Sequence, residues 1–498
     1  MSVEIEETAP STPDRLHPEP RREPLVFELS GEGKVGYSLP PLDVPETVAI
    51  PRALRREEIA GETEITEVEV ARHFTRLSKL NFSIDEALYP LGSCTMKHNP
   101  RVNEEVARLP GFAAAHPLAP EEVSQGALEL AWRLEKSLAE LTGLARVTLQ
   151  PAAGAQGELA GILMIRAALA KEGNPRTTVL IPDSAHGTNP ASAHFAGYKV
   201  RELKSNARGT LDLHVLEEAM TEDVAALMLT VPNTLGIFEN QILEIARIVH
   251  AKGGYLYCDG ANFNSFVGLA NPGAMGIDVM HMNLHKTFST PHGGGGPGAG
   301  PAAVTDRLVP FLPRPTIERR GDGTFFLDHD RPDSVGRLRT FLGNFGMFVR
   351  AFAYISSYGN RIGEVARGAV LNANYVRAGL ADLYHLKYDA PTMHEIVFSD
   401  KKQTAYGVHN MDIGKRLMDY GFHPPTISFP LIVHGALMIE PTEAEPKPAL
   451  DAFVAAMREI ARECEEDPAI VTKAPHTTPV KRVDEVGAAK NLVLRWKP

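Results

Sequence analysis

From about residue 146 to 290, short apolar runs alternate with longer stretches of helical periodicity. The runs are Thr177 to Ile181, Tyr198 to Leu203, Val224 to Thr230, Tyr255 to Cys258 and Val279 to Leu284. Between them, Gly157 to Lys171, His214 to Glu222 and Glu239 to Lys252 repeat apolar residues at three- and four-residue spacing. This alternation predicts a doubly wound α/β domain, a mainly parallel sheet covered by helices. A sheet of this kind binds its ligand at the carboxyl ends of its strands, which directs attention to the residues that follow each run. Helical patterns also occupy Val68 to Leu80, Glu121 to Leu141, about Arg361 to Leu383, and Lys447 to Glu465. Residues 1 to about 50 are rich in Pro, Glu and Arg with little apolar periodicity, and predict an extended arm. The expected organisation is an N-terminal arm and helical segment over 1–125, a large α/β domain over 126–365, and a smaller C-terminal α+β domain over 366–498.

Five segments follow the strands: Gly154-Ala155-Gln156-Gly157 at a helix start, Asp183-Ser-Ala-His186, Pro232-Asn-Thr234, Asp259-Gly-Ala261, and His285-Lys286. A carboxylate, an imidazole, a lysine and a glycine-containing helix start describe together a site for a planar, phosphorylated, cationic heterocycle. Lys286 closes an apolar strand, where desolvation lowers an amine's pKa and leaves it able to attack an aldehyde. A lone lysine past a strand end is ordinarily a surface residue, and only its company argues otherwise. Asp259 follows Tyr255-Leu-Tyr-Cys258, where an unpaired carboxylate is costly and a cation is wanted, although a helix cap or a salt bridge would also serve. A pyridinium N–H meets that need and makes the ring an electron sink. The helix start at Gly154 offers free N–H groups to a phosphate, a weak signal by itself. His186 is placed to lie flat on a heterocycle and Thr234 to hydrogen-bond a phenolic oxygen, while each alone is more often structural. The run His292-Gly-Gly-Gly-Gly296-Pro allows close backbone approach, for a hairpin or for phosphate.

Charge and cysteine usage narrow the classes. The 498 residues carry a formal charge of -11, which argues against nucleic acid or an anionic membrane as partner. Cys94, Cys258 and Cys464 are widely spaced and odd in number, suggesting neither a disulfide framework nor a zinc site. No stretch approaches the roughly 18 apolar residues of a membrane span, and Glu4, Glu6 and Glu7 stand where a targeting peptide would be basic. A reducing, cytoplasmic setting is expected.

With these residues in hand the chain resembles fold type I pyridoxal-phosphate enzymes, and closely the P-protein of the glycine cleavage system. The resemblance rests on Tyr89-Pro-Leu-Gly-Ser-Cys-Thr-Met-Lys97, Asp183-Ser-Ala-His-Gly-Thr-Asn-Pro-Ala-Ser192, Pro232-Asn-Thr-Leu-Gly236, Asp259-Gly-Ala-Asn262, Asn283-Leu-His-Lys-Thr-Phe288 and Pro291-His-Gly-Gly-Gly-Gly-Pro-Gly298. It continues through Gly343-Asn-Phe-Gly346 and Ala436-Leu-Met-Ile-Glu-Pro-Thr-Glu443, covering nearly everything after residue 50. The resemblance implies pyridoxal 5'-phosphate held as a Schiff base by Lys286, with Asp259 at the pyridine nitrogen and His186 stacked on the ring. It further implies Thr234 near the phenolic oxygen, Gly154, Ala155 and Gln156 at the phosphate, and Ala261 and His285 beside the cofactor. Ser289 and Thr290 depart from the family's lysine loop without touching a named role.

A fused P-protein is about twice as long, with two homologous halves, and this chain matches the lysine-bearing second half. The resemblance therefore implies subunit 2 of a split enzyme, paired with a homologous subunit 1 as a heterotetramer of two copies each. The implied reaction decarboxylates glycine and passes its aminomethyl group to the lipoyl arm of H-protein. Two rivals stand beside it. A stand-alone amino-acid decarboxylase or sulfur-transferring enzyme on the same scaffold would need no lipoyl protein, and a non-catalytic scaffold subunit would carry no chromophore. The pattern leaves open the role of Cys94, any acid or base role of His394 and His423, and which arginine, among Arg337, Arg339 and Arg350, meets the glycine carboxylate.

Overall fold

The structure is a computed structural model that describes residues 23–45, 50–56, 61–116, 118–292 and 298–495. Most of the expected extended arm, and Gly293 to Pro297 of the glycine run, lie outside the described residues. Ile84–Ala474 form one compact unit, and a second gathers the described residues up to Ser83 with those from Pro475 onward. In this second unit the helix Glu67–Ser78 starts at a capping box, Thr66 accepting from the Glu69 N–H and the Glu69 carboxylate from the Thr66 N–H. Glu23 braces the same helix through His73 at 2.9 Å and Arg76 at 2.6 Å.

The larger unit is built on a seven-stranded sheet of β1 (Arg146–Thr148), β2 (Thr178–Pro182), β3 (Lys199–Leu203), β4 (Val224–Thr230), β5 (Tyr255–Gly260), β6 (Val279–Met282) and β7 (Ala302–Val304). Their order is β1-β7-β6-β5-β4-β2-β3, parallel from β3 to β6, with β7 reversed and antiparallel to both neighbours. β4 and β5 are buried at every residue, which explains their unbroken apolar runs. Side chains alternate between two cores. Leu227, Leu229, Leu256, Cys258 and Met280 face one. Ala226, Met228, Tyr255, Tyr257 and Val279 face the other.

The second face is covered by the helix Gly154–Lys171, rich in small residues because it lies directly on the strands. A Cβ at Gly161 would fall 2.5 Å from the Tyr257 ring, and one at Gly157 would fall 2.5 Å from the Gly300 carbonyl oxygen. Both positions therefore exclude any side chain.

A three-stranded antiparallel sheet of β10 (Ile396–Ser399), β11 (Thr426–Ile427) and β12 (Ala436–Ile439), ordered β10-β12-β11, has its own core. Leu450, Phe453, Met457, Ile460 and Cys464 of the helix Lys447–Glu466 pack there with Phe398, Leu437 and Tyr384. A ribbon of β8 (Thr316–Arg319) and β9 (Phe325–Asp328) completes the strands. The helix Phe345–Tyr358 is not among the expected elements, which begin this helical stretch only at about Arg361; Gly359 at φ 53 separates the two. Among the described residues no helix is long and apolar enough to cross a membrane.

Candidate active site

The carboxyl ends of β4, β5 and β6 open into a cleft of about 850 Å³ including its mouth, enough for a cofactor-sized ligand. Gly154, Ala155, His186, Thr234, Asp259, Ala261, His285 and Lys286 all line it. Asp259 is next to last in β5 and only 2% exposed. Its Oδ1 accepts from the Ala261 N–H at 2.9 Å and lies 3.3 Å from His281 Nε2, and its Oδ2 accepts from Asn189 Nδ2 at 3.1 Å. Burial pushes the Asp259 carboxyl up, but His281, the Ala261 N–H and Asn189 together outweigh it and hold the group below the usual carboxylate range. Glu158, the fifth residue of the Gly154 helix, moves the opposite way: burial, then the charge of Asp259, pushes it up to about 8. The two carboxyls separate into one anion and one acid at neutral pH.

Glu158 accepts from Thr188 Oγ1 at 2.8 Å and from Asn189 Nδ2 at 2.8 Å, so Asn189 bridges it to Asp259. His281 sits opposite Asp259 in the β5–β6 register, and its Nδ1 is 2.6 Å from the Tyr257 hydroxyl. Between about pH 4.5 and 8 the folded chain keeps a proton at Glu158 that the unfolded chain releases, so its stability falls as pH rises through that window. Glu158→Gln removes this slope. Thermal midpoints of the cofactor-free protein at both ends of the window test it, and a wild-type decline that the Gln variant shares in full would count against the assignment.

Lys286 lies in the turn after β6, where its Nζ donates to the Ser93 carbonyl at 2.9 Å. His186 stands exposed at the rim, its Nδ1 3.0 Å from Thr188 Oγ1 and its ring edge-on to Phe429 at 5.5 Å between centroids. The Thr234 hydroxyl donates to the Ser184 carbonyl and keeps only acceptor capacity toward the cleft. His285 Nδ1 accepts from the Ala299 N–H at 3.3 Å, and burial followed by the nearby His292 brings its pKa down to about 3. Gln156 does not line the cleft; its Oε1 turns back to accept from the Ala152 N–H at 2.7 Å. Neither do the three arginines considered for the carboxylate. Arg350 is paired with Glu104 at 2.7 Å, Arg337 donates to the Thr340 carbonyl, and Arg339 donates to Asn344 Oδ1. His423 stacks on Tyr89 at 3.9 Å, outside the cleft lining.

The residues present fit pyridoxal phosphate. Thr230 Oγ1, Asn262 Oδ1 and Asn283 Oδ1 are buried without a hydrogen-bond partner, and all three residues line the cleft, where a polar ligand would satisfy them. A Cβ at Gly154 would fall 2.7 Å from Asn283 Oδ1, so only glycine fits there, and this helix start on the cleft wall can offer its N–H groups to an anion. Sequence reasoning missed Glu158, Asn189 and His281. A histidine in an apolar strand, on the same parity as the acid of the adjacent strand, is the signal that would have found the last.

The fold and the site together define a fold type I pyridoxal-phosphate enzyme. The model of the glycine cleavage system P-protein family matches residues 38–318, and that of the glycine dehydrogenase C-terminal domain matches residues 365–478. The chain belongs to the glycine cleavage system P-protein family. It is 55% identical over 478 residues to a protein of Bacillus licheniformis named probable glycine dehydrogenase (decarboxylating) subunit 2, covering 95% of this chain and 98% of that one. It is 53% identical to the protein of the same name from Caldanaerobacter subterraneus subsp. tengcongensis, covering 95% and 98%. Among solved structures, an inhibitor-bound glycine decarboxylase (P-protein) shares the fold at TM-score 0.67 and 23% identity, over 84% of this chain and 92% of the other. A cysteine desulfurase of Escherichia coli shares it at TM-score 0.59 and 17% identity, over 78% and 97%.

Proposed function

We propose that this chain is the pyridoxal-phosphate-bearing subunit of a glycine decarboxylase. It breaks the C–C bond of glycine, releasing carbon dioxide, and delivers the aminomethyl group to one sulfur of the lipoyl disulfide of an H-protein while the other sulfur leaves as a thiol. A homologous subunit 1, which the numeral in the relatives' name supports, completes the assembly, with two copies of each subunit. The single observation that carries this reading is the gathering of the Lys286 amine, the Asp259 anion and the Gly154 helix start around one cleft.

Pyridoxal phosphate, when bound, supplies the electron sink that decarboxylation of an α-amino acid requires. Lys286 tethers it, and Asp259 keeps the proton on its ring nitrogen by offering a buried anion held in place by Asn189 and the Ala261 N–H. Gly154 and Ala155 receive the phosphate on the dipole of an 18-residue helix. His186 covers the mouth from the rim, and Thr234 offers a lone pair at the wall. Sulfur transfer, the chemistry named for a structural neighbour, finds less support: it needs a reactive thiolate, and burial pushes the Cys94 thiol up.

The test is exchange of labelled bicarbonate into glycine by the chain mixed with subunit 1. Lipoylated H-protein should raise the exchange roughly tenfold or more over unlipoylated H-protein. Release of free methylamine at the same rate without any carrier would refute the reading.

A further inference from the structure

Two carboxyl groups outside the cleft lining are wholly buried and spent on one loop. Ile396 pairs with Ile439 across β10 and β12, which brings Glu395 and Glu440 side by side just beyond the ladder. Both are 0% exposed, a costly place for two like charges. Glu395 Oε2 accepts from the Ser93 N–H at 2.9 Å. Glu440 Oε2 accepts from the Thr95 N–H at 2.9 Å, and its Oε1 from Thr95 Oγ1 at 2.6 Å and Asn264 Nδ2 at 3.3 Å. Ser93 and Thr95 have φ of 63° and 50°, left-handed values that neither residue, least of all a β-branched one, adopts without support. Between them lies Cys94 on the cleft wall, and the Ser93 carbonyl is the acceptor of Lys286 Nζ.

Burial, reinforced by Glu440, pushes the Glu395 carboxyl well above its usual range. His394 is buried beside the pair with both ring nitrogens unpartnered, Nε2 standing 3.7 Å from Glu395 Oε1 and 4.0 Å from Glu440 Oε1. Those distances are too long for hydrogen bonds. A cation would find three donor atoms here, but Glu440 Oε1 already accepts from both Thr95 and Asn264.

Resting on the assignment of Lys286 as the cofactor-bearing amine, we propose that Glu395 and Glu440 are positioning residues for the reaction. By taking the N–H groups on either side of Cys94 they hold the strained loop and fix the Ser93 carbonyl as a seat for the Lys286 amine. The work of Glu395 is that of a hydrogen-bond acceptor in a neutral side chain, so glutamine should replace it and alanine should not.

The test compares wild type with Glu395→Gln, Glu395→Ala and Thr95→Val. The first readout is the rate at which the visible band appears when pyridoxal phosphate is added to cofactor-free protein. The second is the rate of Cys94 alkylation in that protein, where Cys258 and Cys464 are buried and silent. Glu395→Ala should capture the cofactor at least roughly tenfold more slowly and alkylate at least roughly tenfold faster, while Glu395→Gln matches wild type in both. Thr95→Val keeps the volume and the backbone strain but loses the hydroxyl contact, and should change both rates in the same directions; it decides the matter if the alanine variant does not fold. Wild-type rates in Glu395→Ala or in Thr95→Val, alanine-like rates in Glu395→Gln, or a stoichiometric divalent metal in the purified protein would each overturn the proposal. A wild-type chain that never forms the band would refute the Lys286 assignment instead, leaving the alkylation rates to decide the loop clamp.

Discussion

Lys286→Ala should yield a folded protein without the visible absorbance of bound pyridoxal phosphate and without measurable exchange of bicarbonate into glycine. The side chain makes one hydrogen bond, to the Ser93 carbonyl, and lies on a cleft wall rather than in a packed core. Stability should therefore change by only about 1 kcal/mol. On the proposed role of Lys286 the chemical loss is far larger, because the variant would lack both the cofactor's tether and its exchanging amine. A fall of at least roughly 10³-fold is expected from the loss of a correctly placed reacting group. Exchange within tenfold of wild type would remove Lys286 from the mechanism.

Asp259→Asn should separate binding from chemistry. The proposed tether at Lys286 remains, so the visible band should persist, while the buried anion proposed to face the ring nitrogen is gone. Loss of one preorganised electrostatic partner in a water-poor site costs about 3–4 kcal/mol, or roughly 10²–10³ in rate. The new amide would also face the donors of Asn189, Ala261 and His281, which now converge on the carboxylate. Exchange kinetics and the absorbance spectrum read the two effects apart. Loss of the band together with wild-type exchange in the remaining holoenzyme would assign Asp259 to cofactor retention alone.

The central sheet was legible because its parallel strands are covered on both faces and must be apolar throughout. β4 begins and ends at the residues the periodicity marks, Val224 and Thr230. β1 and β7 escaped notice because each is three residues long and too short to show a period. Lys286 and Asp259 stood out because a charged residue directly after an apolar run demands a reason. Glu158 did not, since a single acid within a helical stretch looks like an ordinary solvated residue until Thr188, Asn189 and Asp259 are seen around it. The same limit hid Glu395 and Glu440, whose role appears only when the small sheet pairs residues 45 positions apart and presents them to a loop some 300 residues earlier.

The contact between Gly161 and Tyr257 reaches further than packing. Tyr257 touches the helix on one side and hydrogen-bonds His281 on the other, and His281 abuts Asp259. The gap between the proposed seat for the phosphate and the acid proposed for the ring nitrogen is thus set by a stack of touching atoms with no slack. A single methyl at position 161 would act as a wedge beneath the ligand, tilting one anchor against the other from a distance at which it touches neither.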